Sequence, residues 1–391
     1  IMLFPLLVNI LTFFEHPNAY LPKHASLLFF AQIAVLLCIG VLFIYGTGNL
    51  TGGAFAGMWK KQLVWIFLGG VSFCFFMRVP YQHLGRLSGL IYLVSVFLLI
   101  LVLVIGREEN GAKSWIRLGG GANLQPSEVG KLGTIFLLCW YSSREWVNME
   151  KLMHLLVAGL IVALPVGLIL LQPDMGSAMT FIPMFLGVIW ISGMQKKVLV
   201  IGALLALLSA YPIYQYGMSS HQKERIVAFF KPEEANKQRA GWNAHQSLLA
   251  VGSGGVTGKG YMQGTQHTLG FLPHTVATND FIFSVIAEET GFIGSALVIG
   301  CFASMIVLIF FIASKARDPM GRNLATAIGV LLSVHIYVNI GMTMGMSPII
   351  GIPLPFVSYG GSFMIIMMSF AGIIQNVCIQ RRHGGLDESD L

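Results

Sequence analysis

The sequence predicts an all-α polytopic membrane protein of about ten transmembrane helices, with a large extracytoplasmic loop between the seventh and eighth. Three observations carry this reading. Of 391 residues, 55% are hydrophobic and 10% charged, with mean hydropathy +0.74, which is more apolar surface than a water-soluble globule of that size can bury. Apolar windows long enough for the roughly 30 Å hydrocarbon core recur along the chain. Basic residues gather in alternate short connections between those windows.

The windows fall at residues 26–46, 62–79, 87–105, 127–142, 154–171, 177–193, 197–216, 292–314, 323–344 and 358–379. Before the first, the apolar run Ile1 to Phe14 is too short for a span. It lacks the basic start and small-residue cleavage site of a signal peptide, so residues 1–22 read as an N-terminal interfacial segment. From Phe281 to Ser314 one continuous helix would be about 50 Å long, more than a membrane thickness. A break is therefore expected near Thr290-Gly291, leaving an interfacial helix from Asp280 and then a true span. The short acidic stretch Gly384 to Leu391 reads as a disordered tail. The whole chain, residues 1–391, is expected to form one membrane domain, with residues 217–291 as its large loop.

Arg78, Arg86, Arg144, Lys151, Lys196, Lys197, Lys315, Arg317, Arg322, Arg381 and Arg382 place their connections and both termini on the cytoplasmic side. Lys60, Lys61, Lys113 and Arg117 are exceptions to the pattern. The formal net charge of +7 belongs largely to this belt, which meets an anionic inner leaflet, and no nucleic-acid partner need be invoked. Cys38, Cys74, Cys139, Cys301 and Cys378 each sit alone in apolar sequence, without the spacing of a zinc site or disulfide framework. No 20–50-residue period appears, nor paired Gly/Pro-broken spans in matching halves, which argues against a secondary transporter.

The outer segments are Gly-, Pro- and polar-rich, and four of them carry the distinctive residues. The third connection holds Lys113, Trp115 and Arg117, then Gln125-Pro126-Ser127-Glu128 opens the fourth span. Ser127 and Glu128 suit a helix start, where Ser127 caps and Glu128 meets the positive helix end, with Lys131 one turn on to pair with it. Lys131 fits that reading less well, because an ammonium a turn inside a span needs a cavity or a partner. Asp174, in Gln172-Pro173-Asp174-Met175-Gly176-Ser177, serves equally as a turn-and-cap residue or as a carboxylate lining an outer cavity. The large loop contains Gln246-Ser247, Ser253-Gly254-Gly255 and Gly258-Lys259-Gly260; such glycines make turns, or let backbone N–H groups and Lys259 approach a phosphate. It ends in Asp280-Phe281-Ile282-Phe283, with Glu288 about two turns beyond and Glu289 pointing away. Asp280 either caps the following helix or belongs to a site at the bilayer boundary, where ionisable groups are costly to hold. Last comes Pro353-Leu354-Pro355-Phe356-Val357-Ser358-Tyr359-Gly360-Gly361-Ser362, whose prolines keep the chain extended into the final span.

The ordered set GAKSWI, QPSE, QPDMGS, GSGG, GKG, DFIFSVIAEETGF and PLPFVSYGGS resembles the SEDS family (shape, elongation, division and sporulation) of bacterial cell-wall polymerases, from about residue 26 onward. GKGYMQGTQ, and NIGM with GIPLPFVSYGG, look more like its elongation branch than its division branch. Two stretches depart from the family pattern. Pro273 to Asp280 is two residues longer than the usual run before Phe-Ile-Phe, and Asn243-Ala244-His245 replaces an aromatic-rich run, so neither His274 nor His245 receives a role.

The resemblance implies the SEDS fold in the bacterial plasma membrane and peptidoglycan glycosyltransfer at its outer face, joining lipid II units into glycan strands during elongation and rod-shape maintenance. It aligns Asp280 with the family's essential aspartate. A sugar on pyrophosphate already has a good leaving group, so one base and one cationic stabiliser suffice. Asp280 is the expected base; Lys113, Arg117, Lys131 and Lys259 are candidates for the pyrophosphate; Trp115, Glu128, Asp174, Gln246, Ser247, Glu288, Ser358 and Tyr359 are candidate lining residues. No cofactor motif is evident and no metal-ligand spacing stands out, although a divalent cation, Mg2+ or Mn2+, is compatible with a pyrophosphate. Expected partners are lipid II, a class B penicillin-binding protein transpeptidase, elongation-complex proteins and membrane lipids. The competing readings are a lipid II flippase, a division polymerase of the same family, and a non-catalytic scaffold.

Overall fold

The computed structural model describes residues 25–51, 57–109, 112–119, 122–212, 214–215, 218, 220–230 and 240–383. The interfacial segment and acidic tail expected at residues 1–22 and 384–391 lie outside them. The chain begins with α1 (Ala25–Thr51) and α2 (Met58–Arg78), and α2 stops at Val79, whose extended backbone precedes Pro80. The short α3 (Tyr81–Arg86) leads into α4 (Ser88–Ile105). Beyond a small sheet come α5 (Pro126–Ser142), α6 (Leu152–Leu170), α7 (Met175–Ile191) and α8 (Lys196–Pro212). Four shorter helices follow: α9 (Ser220–Phe230), α10 (Ala240–Ser253), α11 (Thr265–Thr268) and α12 (His274–Thr278). The last three helices are long: α13 (Ile282–Ser314), α14 (Pro319–Thr343) and α15 (Gly361–His383).

Seven of these, α1, α2, α4, α6, α13, α14 and α15, are long and apolar enough to cross a membrane. The other three expected spans fall on α5, α7 and α8, each of 17 residues, near the lower limit for crossing. Burial ranks the helices: in their most apolar stretches α15 is 89% and α14 78% buried, against 17% for α2. The polar-bearing α14 and α15 are therefore the axis of the bundle, and α2 presents most of its surface outward.

The two ends of the bundle differ in chemistry. At one end Tyr81 Oη and Gln82 Nε2 donate to Asp318 Oδ2 at 2.9 and 3.1 Å, and Gln82 reaches Gln380 at 2.7 Å. Asn323 Nδ2 donates to Ser142 Oγ at 2.9 Å and Ser192 Oγ at 3.1 Å. These bonds gather the basic connections after α2, α5, α7 and α13 at one end, as the charge pattern requires. Asp318 also caps α14, accepting from Gly321 N at 2.6 Å, with Pro319 in the first turn where a missing N–H costs nothing.

The third connection folds rather than remaining a loop. Strands β1 (Arg107–Glu109), β2 (Ala112–Gly119) and β3 (Ala122–Leu124) form an antiparallel sheet in chain order, pairing Arg107 with Trp115 and Ile116 with Leu124. Ser114 and Ile116 are buried while Lys113, Trp115 and Arg117 are not, a period of two that short strands of mixed polarity express weakly in sequence.

The break expected near Thr290-Gly291 is present: within α13, Gly291 has φ 66° and ψ −161°. A β-carbon there would lie 2.2 Å from Gly258 N, and one on Gly258 would lie 2.2 Å from Glu289 O. The glycine-rich loop supplies the hydrogen bonds that the kink interrupts. Lys259 N and Gly260 N donate to Glu288 O and Glu289 O, each at 3.0 Å, and Phe292 N and Ile293 N donate to Gly255 O and Val256 O at 2.9 and 3.2 Å. Here the glycines serve close backbone packing, and these N–H groups are spent on α13 rather than on an anion.

Candidate active site

Asp280 stands between α12 and α13, and it is not a helix cap. The N-cap of α13 is Phe281 and carries no side-chain cap bond. The backbone around Asp280 is held carbonyl by carbonyl: Thr278 O accepts from Tyr359 N at 3.0 Å, Asn279 O from Ser358 Oγ at 2.5 Å, and Asp280 O from Asn339 Nδ2 at 2.8 Å. Ser358 Oγ in turn accepts from Leu354 N at 2.8 Å. Ser358 and Tyr359 thus brace the loop carrying Asp280; the strap they end, residues 350–359, is not extended throughout as its prolines suggested, but turns at 355–358, where Phe356 has φ 64° and Val357 N and Ser358 N both donate to Leu354 O.

The Asp280 side chain is half-buried, and among the described residues none donates a hydrogen bond to its carboxylate. Burial pushes its pKa up from 3.8 to about 6; the Arg225 guanidinium opposes that rise and the Asp174 carboxylate adds to it. Arg225, on α9, donates to Ile350 O at 3.2 Å. Gly351 lies between the two, with φ 77°: a β-carbon there would stand 3.3 Å from Asp280 Oδ2 and 3.9 Å from Arg225 Nη1. A side chain at this position would be strained and would crowd the carboxylate.

Asp174 takes the capping role that the sequence allowed. It caps α7, accepting from Ser177 N at 3.0 Å and Ser177 Oγ at 2.8 Å, and also accepts from Gln125 Nε2 at 3.1 Å, while its charge acts on Asp280.

Most of the remaining candidates have partners elsewhere. Lys113 Nζ donates to Leu103 O and Val104 O at 2.9 and 3.3 Å, at the carbonyl end of α4, where a cation is favoured. Trp115 is half-buried and Arg117 exposed on β2. Lys259 Nζ pairs with Glu288 Oε1 at 2.6 Å, and Glu288 is further satisfied by Thr265 and Gln266, so it fastens the loop instead of lining an opening. Gln246 is buried, and Ser247 Oγ donates to Thr343 O at 3.0 Å, tying α10 to the end of α14. Lys131 and Glu128 pair at 2.7 Å, as their spacing predicted, but both are fully enclosed. Ser127 does not cap α5; Gln125 holds that position, Pro126 fills the first turn, and Ser127 Oγ bonds Ser177 Oγ at 3.2 Å.

Three residues that the sequence reading passed over belong here: Arg225, His335 and Asn339. Asn339 stands in sequence only as part of the NIGM motif, and His335 sits in an apolar run like one more core residue. Arg225 carried a signal, as a basic residue on a short amphipathic segment of the large loop, which no spacing linked to Asp280. Among the described residues no group of three or more His, Cys, Asp or Glu converges as a metal cage.

The family model of the FtsW/RodA/SpoVE cell cycle proteins matches residues 26–383. The peptidoglycan glycosyltransferase MrdB of Escherichia coli K12 is 32% identical over 354 residues, covering 89% of this chain and 93% of that one. In a solved peptidoglycan synthase complex described as coordinating polymerization and crosslinking, one chain matches with TM-score 0.77 and 26% identity, covering 92% of this chain and 98% of its own. The rod shape determining protein RodA of Thermus thermophilus matches with TM-score 0.67 and 25% identity, covering 93% and 99%.

Proposed function

The chain belongs to the FtsW/RodA/SpoVE family, and from that membership and the Asp280 site we propose how it works as a peptidoglycan glycosyltransferase. It is a multi-pass membrane protein with many apolar helices. The substrate of the proposal is lipid II, a disaccharide-pentapeptide on undecaprenyl pyrophosphate, polymerised at the outer face of a bacterial plasma membrane. Orientation follows from the charges: the end gathering Arg78, Arg86, Arg144 and Arg317 faces the cytoplasm and Asp280 faces outward.

Asp280 is the base. The acceptor sugar hydroxyl attacks the anomeric carbon of the donor sugar, its proton passes to the Asp280 carboxylate, and the anomeric C–O bond to phosphate breaks, with inversion to a β linkage. Undecaprenyl pyrophosphate leaves with the bonding pair. A base poised near neutral pH balances availability against driving force, and a pKa of about 6 answers that need. Arg225 is the cation facing Asp280; it holds the base ionised and is placed to meet negative charge on the leaving group. A divalent cation bound with the pyrophosphate would find in Asp174 a carboxylate whose charge already acts on Asp280, and would neutralise charge on the leaving oxygens.

The observation carrying this reading is a half-buried carboxylate with no cap to make, facing a guanidinium. The extra residues between Pro273 and Asp280 are absorbed by α12, which keeps the aspartate at the start of α13. The similarity to MrdB and to a rod shape determining protein supports a role in elongation, and the synthase complex supports a class B penicillin-binding protein as partner. The test is purified protein with lipid II, comparing wild type with Asp280→Asn. Wild type is expected to make glycan strands and the variant to fall by roughly 10²-fold or more while still binding lipid II. Strand synthesis by Asp280→Asn at the wild-type rate would overturn the assignment, and lipid II scrambling in liposomes without any polymer would favour the flippase reading.

A further inference from the structure

His335 and Asn339 lie one turn apart on α14, and both reach the strap that runs past Asp280. Asn339 Nδ2 donates at 2.8 Å to Asp280 O and at 2.8 Å to Ile352 O. Two carbonyls facing one end of a carboxamide fix its orientation, because only the NH2 group donates. The next carbonyl, Pro353 O, lies 3.3 Å from His335 Nδ1. On the other side of that ring, Lys131 Nζ lies 3.2 Å from His335 Nε2 and 2.7 Å from Glu128 Oε1. An ammonium only donates, so Nε2 is the acceptor and the ring proton sits on Nδ1, directed at Pro353 O. The chain of contacts Glu128–Lys131–His335 thereby sets one tautomer, and that tautomer grips the strap beside the bond made by Asn339.

We infer that Asn339 and His335 are positioning residues for the transferase reaction, holding Ile352 and Pro353 so that Gly351 and Asp280 face Arg225, and that the Glu128–Lys131 pair acts through His335 and not on the substrate. Four features of the geometry support this. All four side chains are fully or almost fully buried, out of reach of a lipid-linked sugar. The strap they hold is the one whose Ile350 carbonyl accepts from Arg225. Gly351, next along, is the residue packed against the Asp280 carboxylate. Asn339 bonds both Ile352 O of the strap and Asp280 O, so it fixes one against the other.

The inference rests on Asp280 being the base, and the test separates the two. The charged groups that act on Asp280 are Arg225 and Asp174, and the first of these depends on the strap for its bond to Ile350. Loosening the strap removes the influence that keeps Asp280 ionised, so the acid limb of the activity profile moves to higher pH. Purified wild type, Asn339→Leu, His335→Leu and His335→Asn are assayed for glycan-strand synthesis from lipid II between pH 5 and 8. Asn339→Leu is expected to lose about ten-fold in kcat with KM for lipid II within about two-fold, and to shift its acid limb upward by about half a unit or more. His335→Leu shifts in the same direction by less. His335→Asn, whose amide nitrogen can take the place of Nδ1, returns the limb to its wild-type position. An unmoved acid limb in Asn339→Leu, or a rise in KM with kcat unchanged, overturns the inference. Should Asn339→Leu not fold, the His335 pair decides, since identical profiles for Leu and Asn at 335 also overturn it. Activity surviving in Asp280→Asn sinks the catalytic assignment itself, a different result from a dead Asp280→Asn with an unmoved limb in Asn339→Leu.

Discussion

Glu288 Oε1 accepts from Lys259 Nζ at 2.6 Å, and the same oxygen takes Thr265 N at 2.8 Å and Thr265 Oγ1 at 2.9 Å. Its other oxygen lies 3.9 Å from His267 Nδ1. A carboxylate this heavily bonded is a fastening. It locks the glycine-rich loop onto α13 on the near side of the Gly291 kink, and it accounts for an intramembrane-looking Glu and a loop Lys with a single structural fact.

Lys259→Met is therefore expected to cost about 3 kcal/mol of stability, since it leaves a buried carboxylate short of its countercharge. Lys259→Met combined with Glu288→Gln should cost less than the two changes summed, with a coupling of about 1 kcal/mol or more. Thermal unfolding of the four proteins in one detergent measures this. The polymerisation rate per folded molecule should stay within about two-fold of wild type. A collapsed rate at unchanged stability would instead return Lys259 to the pyrophosphate.

Gly291 and Gly300 lie on the same helix and should respond in opposite ways to alanine. At Gly291, φ is 66° and the added carbon would meet Gly258 N at 2.2 Å, so a loss of about 2 kcal/mol or more is expected. At Gly300 nothing lies within 4 Å, and alanine should be neutral or stabilising by up to about 1 kcal/mol. Thermal midpoints of the two variants are the measurement, and equal shifts would contradict the packing described at the kink.

What the sequence made legible was set by physics that acts over a few residues. Continuous apolar runs marked α1, α4 and α6, and the 33-residue length of α13 exposed its own break, because no single span needs 50 Å. The Glu128–Lys131 pair was legible because helical neighbours three apart must meet. Arg225 was not, since its nearness to Asp280 spans 55 positions and depends on a strap whose path the sequence does not encode locally. Lys113 misled for a related reason: a lysine in an outer segment looks the same whether it awaits a phosphate or closes the carbonyl end of α4.

Lys131→Met removes one partner of an enclosed ion pair and is expected to cost about 3–5 kcal/mol, enough to threaten folding. Pairing it with Glu128→Gln should restore much of that stability, because no lone charge then stays buried. Activity should not follow stability back, since the double variant still lacks the donor that sets the His335 tautomer. Expression level, thermal midpoint and kcat of the single and double variants test this, and full recovery of kcat with stability would mean that the pair only supports the fold.

Arg225 and Asp174 act on Asp280 with opposite signs, so their removal should move the pH profile in opposite directions. Burial raises the Asp280 pKa from 3.8 to about 6, and as a base it works only when ionised, so wild-type activity should rise through a midpoint near pH 6. Arg225 favours the charged form; Arg225→Gln takes that away and the midpoint climbs. Asp174 disfavours the charged form; Asp174→Asn takes that away and the midpoint falls. The same raised pKa makes Asp280 a burden on folding that grows as pH rises from 3.8 through 6, because the folded state holds the proton more tightly than the unfolded chain. Asp280→Asn should then be more stable than wild type at pH 7 and little different at pH 4, by an amount on the order of 1–2 kcal/mol after allowance for partial exposure. Initial rates across pH 5 to 8 for the two neighbours, with thermal midpoints for Asp280→Asn at pH 4 and 7, decide it. Shifts of the same sign for Arg225→Gln and Asp174→Asn would show that neither charge acts on Asp280 in the way its position implies.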